Sequence, residues 1–174
     1  MSAITRTPQN TNLLQPTKFQ LTFDRIKNTT FFCQTVNIPG MAGNQITVNT
    51  PAIDYYAAGN KIIYNTFNID FLIDEDLQSW ISIYDWFRSY ADPTGSSTRN
   101  RLSNIQSNRK SLQTYSDATL TIYSALNNPN KRIHFINAFP ISLSDINLDT
   151  KQSADNIITG SASFVFEYFE FLPT

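Results

Sequence analysis

One cysteine, Cys33, and one histidine, His134, stand in a chain of 174 residues. A lone cysteine excludes an internal disulfide, and one Cys with one His cannot build a Cys/His zinc site. Charge is also scarce. Asp, Glu, Lys and Arg make up 16% of the chain and leave a net charge of −1, so the surface as a whole is no magnet for nucleic acid. The 5 Gly and 8 Pro are too few for a collagen-like or low-complexity chain. No apolar run approaches the ~18–20 residues of a membrane span. Residues Met1 to Gln15 are polar and lack the apolar stretch of a signal peptide, so the expected product is a folded intracellular one. Neither a Gly-rich phosphate loop nor a Gly-x-Ser-x-Gly elbow occurs.

Uncharged polar residues fill the space instead. Asn, Ser and Thr occupy 53 of the 174 positions, beside 13 Phe, 8 Tyr and 2 Trp. Thr, Phe and Tyr favour strands. Abundant aromatics with little charge suit a subunit whose surface is mostly covered, because a free monomer relies on charge for solubility. The length fits one domain with an appended arm. We place a polar N-terminal arm at residues 1–16 and one β domain at 17–174.

Alternation marks the strands. Lys18 to Phe23 and Thr30 to Val36 read as a hairpin ended by Asn37-Ile38-Pro39-Gly40. Gln45–Asn49 and Lys61–Tyr64 are short strand candidates around a Pro51/Gly59 loop. Thr66 to Ile73 is the clearest strand, with Phe67, Ile69, Phe71 and Ile73 on one face. A helix over about 75–90 follows. Asp74 is placed to cap it, and Leu77, Trp80, Ile81, Tyr84 and Phe87 recur at helical spacing, with Ile83 and Trp86 widening the stripe. Residues 92–116 form a long loop without period, carrying Arg99, Arg101, Arg109 and Lys110, with no acid between Asp92 and Asp117. Asp117–Tyr123 and Lys131–Phe139 predict a hairpin around Asn127-Asn128-Pro129-Asn130, broken at Pro140. Ile141–Asp149 has a mixed period. Ile157 to Leu172 is long for a strand, so it is expected to bend or to serve two sheets. The sum is a mainly β fold: two packed antiparallel sheets or an open barrel, with one flanking helix.

Catalytic constellations are weak. A Cys33–His134 pair needs two separate strands to meet. Asp74, Glu75 and Asp76 are adjacent, so they face different ways on a helix. Glu167 and Glu170 are an odd number apart and point to opposite faces of one strand. Asp70 stands opposite the apolar face of its strand, as a solvent-facing or interface residue. No enzyme activity, cofactor or metal is expected.

The order of elements is more telling. A polar arm leads to KFQLTF and TFFCQTV, then an Ile-Pro-Gly stop, then FNIDFLIDEDLQ running into the aromatic helix WISIYDWFRSY. A basic loop, a hairpin, a Phe-Pro break and a terminal FEYFEF complete the chain. Over most of residues 17–172 this order resembles the tail tube proteins of contractile-tailed bacteriophages. The resemblance implies hexameric rings in which strands of six subunits join into one β-barrel around a lumen. It implies stacked rings that conduct the genome, assembled in the host cytoplasm and carried in the virion tail. Neighbouring tail, sheath or baseplate proteins would be partners, and DNA would touch the lumen only passively. A baseplate or neck adaptor ring of the same fold is the alternative within this class. A carbohydrate- or other ligand-binding β-sandwich is the alternative outside it, weakened because both Trp residues fall in the helix.

Two contact regions are expected. Trp80, Tyr84 and Phe87 should pack on the subunit's own core, with Ile83 and Trp86 nearer the subunit interface. The basic residues Arg99, Arg101, Arg109 and Lys110 should dock on the acid-rich region 139–174 of a stacked neighbour, since a head-to-tail contact needs unlike surfaces.

Overall fold

A computed structural model describes residues 12–26, 32–91, 93, 114–151 and 156–173. The strands are β1 (Phe19–Phe23), β2 (Cys33–Val36), β3 (Met41–Val48), β4 (Tyr55–Tyr64) and β5 (Phe67–Leu72). Helix α1 (Gln78–Tyr90) follows, then β6 (Ser116–Tyr123), β7 (Pro129–Leu143), β8 (Thr159–Val165) and β9 (Tyr168–Leu172). All strand pairs are antiparallel.

Two sheets share strand β7. Its first half lies between β6 and β9, and β1 completes that sheet on the far side of β6. Its second half pairs with β8, which leads on through β5 to β2. Among the described residues the path ends at β1 and β2, which do not pair, so the sheets form an open sandwich and not a closed barrel. The alternating side chains explain the layers. Leu21 and Phe23, Ala118 and Leu120, and Ile133 and Phe135 point inward from the first sheet. Phe67, Ile69 and Phe71 with Ala162 and Phe164 meet them from the second. Ring centroids of Phe67 and Phe135 lie 4.5 Å apart across the sandwich, and those of Phe23 and Phe164 lie 5.0 Å apart. Each such ring removed from water contributes about 1.5–3 kcal/mol.

Several expectations need correction. β1 and β2 are not a hairpin: β1 pairs with β6 and β2 with β5. Alternation identifies a strand but not its partner, and distant burial decides the pairing. Pro140 does not break β7. Its missing N–H falls at the register shift between Pro140 and Ser142, where the ladder is already irregular. The change of direction sits three residues earlier, at Asn137, whose φ of 54° is left-handed. The two short candidates around Pro51 and Gly59 are instead two long strands, β3 and β4, forming a separate two-stranded sheet. Ala57, Ala58, Gly59 and Asn60 have low strand propensity and hide β4 from a sequence reading.

The long C-terminal segment does serve both sheets. β8 belongs to the second sheet and β9 to the first. Its corner is tied to the β7 corner: Glu167 N donates to Ile136 O at 3.0 Å, and Asn137 Nδ2 donates to Glu167 Oε2 at 2.7 Å. The β6–β7 hairpin is also as expected, with Asn127 in the left-handed region at φ 61°.

Candidate assembly surfaces

The helix begins later than its acidic lead-in suggests. Asp74 caps it from a distance, its carboxylate accepting from Gln78 N and Ser79 N, each at 3.0 Å. A left-handed Leu77 (φ 55°) makes that reach possible. The bond from Ser79 N leads the causes that hold the Asp74 carboxyl below its ordinary pKa.

This start sets the helix phase. Ser79, Ile83 and Trp86 face the core, at the i, i+4, i+7 spacing. Ile83 and Trp86, expected nearer the subunit interface, are fully buried within the chain. Trp86 stacks edge-on against Phe23 at 6.1 Å and donates from Nε1 to Thr114 O at 2.7 Å. The Arg25 guanidinium lies 5.3 Å from its ring centroid. Burial lowers the Arg25 pKa, and Asp85 partly opposes the shift. Tyr84, expected in the core, is 41% exposed and stacks on half-buried Trp80 at 5.5 Å. Phe87 is half-buried and packs against the core as expected. The polar Ser79 concealed the buried stripe. Arg99, Arg101, Arg109 and Lys110 lie outside the described residues.

The surface that sequence reasoning missed is the β3–β4 ribbon. It continues the β2–β5 pair outward. Cys33↔Phe71 and Val36↔Ile69 lead through Asn37 and Gly40 to Met41↔Tyr64, and then to Val48↔Tyr55 at the far end. Asn37 makes the joint, where Pro39 interrupts the ladder. Its backbone N donates to Asn68 O at 3.2 Å. Its side chain donates to Thr66 O at 3.1 Å and accepts from Asn68 N at 2.5 Å. Beyond the joint, nearly every residue is exposed on both faces. Ile46↔Ala57 and Val48↔Tyr55 share one distal face, and Gln45↔Ala58 and Thr47↔Tyr56 the other. Met41, Ile62 and Ile63 are each more than 60% exposed. Two-stranded ribbons this apolar are marginal alone and call for a covering surface.

The chemistry-bearing residues are dispersed. Cys33 lies in the second sheet and His134 in the β6–β9 part of β7, so they form no pair. Burial, with Asp70 nearby, pushes the Cys33 thiol up to about 12. His134 Nε2 lies 3.9 Å from Asp117 Oδ2, and Nδ1 lies 3.2 Å from Thr119 Oγ1. Asp70 is exposed and accepts from Thr35 Oγ1. Among the described residues no group of three or more His, Cys, Asp or Glu is arranged to hold a metal. None of the described helices is long and apolar enough to cross a membrane.

A family profile described as phage tail tube protein matches residues 6–172. The chain belongs to the phage tail tube protein family. It is thus a structural tail tube protein and a component of the virion. No protein of curated function matches the sequence. Solved structures extend the likeness at the level of fold. The sheath/tube terminator of an extracellular contractile injection system in its extended state aligns with a TM-score of 0.57 at 12% identity, covering 92% of this chain and 97% of that one. The tube-terminating cap of the anti-feeding prophage aligns at 0.57 and 11% identity over 100% of both chains. A chain of the anti-feeding prophage baseplate aligns at 0.54 and 9% identity, over 95% and 96%. All three share the fold of this chain.

Proposed function

We propose that this tail tube protein assembles with copies of itself into a closed ring, hexameric as the resemblance implies, and that rings stack into a conduit for the genome. The β3–β4 ribbon carries this reading. It leaves the sandwich with apolar side chains on both faces, and β1 and β2 end the strand path with no further strand beside them among the described residues. An open edge and an uncovered ribbon are hazards in a free chain. A ring removes both, because each copy's ribbon lies against the next copy. In this reading the N-terminal arm and the basic segment of residues 92–116 bridge successive rings, with Arg99, Arg101, Arg109 and Lys110 meeting acids of the 139–174 region. Assembly takes place in the host cytoplasm, the chain has no enzymatic role, and sheath or baseplate proteins bind the finished tube.

Charging the ribbon tests the reading. Val48→Asp with Tyr55→Asp places carboxylates on its apolar distal face and leaves the core untouched. Rings and tubes should be lost while far-ultraviolet circular dichroism and the unfolding transition stay as in the parent. Assembly of the double variant at the parental level contradicts the proposal. Rings that form but never stack favour the adaptor-ring role. Reversing the four basic residues to Glu should block stacking without blocking rings, and unchanged tube length in micrographs would refute that part.

A further inference from the structure

The two outer faces of the sandwich differ sharply in chemistry. On the first sheet the outward side chains include Tyr123, Arg132, His134, Tyr168 and Glu170. They are bulky, and both signs of charge are present. On the second sheet, register puts Asp70 beside Ser161, and Asn68 beside Ser163, which in turn faces Ser142. Thr35 adjoins Asp70 at the β2 edge. All six side chains are short and polar, five are neutral, and the one charge is an acid. Local bonds tie part of this face: Thr35 Oγ1 donates to Asp70, and neighbouring Ser144 Oγ accepts from the backbone N of Ser161 at 2.8 Å.

From this contrast we infer that the serine-bearing face of β5 and β8 is the channel wall, and that its occupant is a phosphate-bearing polymer that passes without adhering. The inference rests on the ring reading above. Affinity for nucleic acid comes chiefly from Lys and Arg on phosphates, and this face presents neither. The short side chains at these six positions leave the middle of the face smooth, with Leu72 and Val165 at its ends. The Asp70 carboxylates, repeated around a ring, repel phosphate at close range. The opposite face, with Arg132 and its large aromatics, then points outward.

Cysteine labelling of assembled protein tests the assignment. Ser163→Cys and Thr22→Cys, the latter on the first sheet's outer face, are made in a Cys33→Ser background. Intact assemblies are treated with a small maleimide or with a maleimide carried on a bulky protein. The small reagent should label both sites. The bulky one should label Thr22→Cys and fail at Ser163→Cys, except at tube ends. Ser161→Cys repeats the test should Ser163→Cys not assemble. Bulky labelling at Ser163→Cys with protection of Thr22→Cys, or equal labelling of both, overturns the inference while leaving the ring reading intact. A protein that forms no ring or tube overturns the ring reading and this inference with it. Assembled Ser163→Lys should retain short double-stranded DNA at low salt that the parent releases, and equal release by both contradicts the phosphate-bearing occupant.

Discussion

Asn137 donates from Nδ2 to Glu167 Oε2 at 2.7 Å, while its own backbone N donates to Asp117 Oδ1 at 3.0 Å. One residue therefore joins β6, the bend of β7 and the β8–β9 corner. Both strand segments that serve two sheets change sheet at this point, so the angle between the sheets is set here. The left-handed φ of 54° is tolerable for Asn and unfavourable for Ala. Asn137→Ala should lower stability by about 1–2 kcal/mol, combining the backbone cost with the one exposed side-chain hydrogen bond lost, to Glu167. Asn137→Gly, which keeps the conformation, should cost less. Urea unfolding midpoints check the order, and a more stable Ala variant would contradict it.

The helix phase gives a second prediction. Trp86 is fully buried and Tyr84 is not. Trp86→Ala should cost about 3–5 kcal/mol, as for other large-to-small core changes. Tyr84→Ala should stay below about 1 kcal/mol, as at sites outside the core. Equal shifts in thermal midpoint would mean the helix is rotated from the phase described.

Asp74 supplies a pH dependence. Its folded pKa is lowered, chiefly by the bond from Ser79 N. A depressed carboxylate stabilises the fold above its unfolded value of about 3.9, and that contribution is lost as pH falls through the folded value. Asp74→Ala should therefore cost about 1 kcal/mol near neutral pH, as a lost cap does. The gap should stay level down to about pH 5 and shrink below about pH 4. A gap that widens in acid would contradict the capping role.

Gly59 is predicted to matter for space. A Cβ there would lie 2.6 Å from Asn44 O, at the register shift between Gly43 and Gln45. Gly59→Ala must push the strands of the ribbon apart at that point. Since Gly59 lies beyond Tyr64, the ribbon residue that packs against the core, the unfolding midpoint should hardly change while assembly falls. Light scattering reads the assembly, and unaltered assembly would show that the ribbon geometry is not needed.

Much of this architecture was legible in the chain. The alternation in Phe67–Ile73 and Asp117–Tyr123 marked strands because one face is buried and the other wet. The length of Ile157–Leu172 signalled a strand shared between sheets. What escaped the sequence had physical causes. Partner choice for β1 and β2 depends on contacts far along the chain. Ser79, a polar residue in a buried stripe, disguised the helix phase, so Ile83 and Trp86 were expected nearer the subunit interface and are instead buried within the chain. The ribbon was shortened to fragments because Ala57, Ala58, Gly59 and Asn60 are poor strand formers, and strand propensity alone does not tell an exposed apolar strand from a buried one. Its signal was present in composition: many aromatics and little charge in a chain whose own core does not use them all.

Whether the purified chain closes into rings is the most direct test of the account. Mass measurement in solution combined with negative-stain electron microscopy of the same sample reads this out. Particles with a central channel, single or stacked into tubes, are expected, with no lasting monomer pool at concentrations where the ribbons can meet. A stable monomer at every concentration, with the β3–β4 ribbon open to solvent, would contradict it.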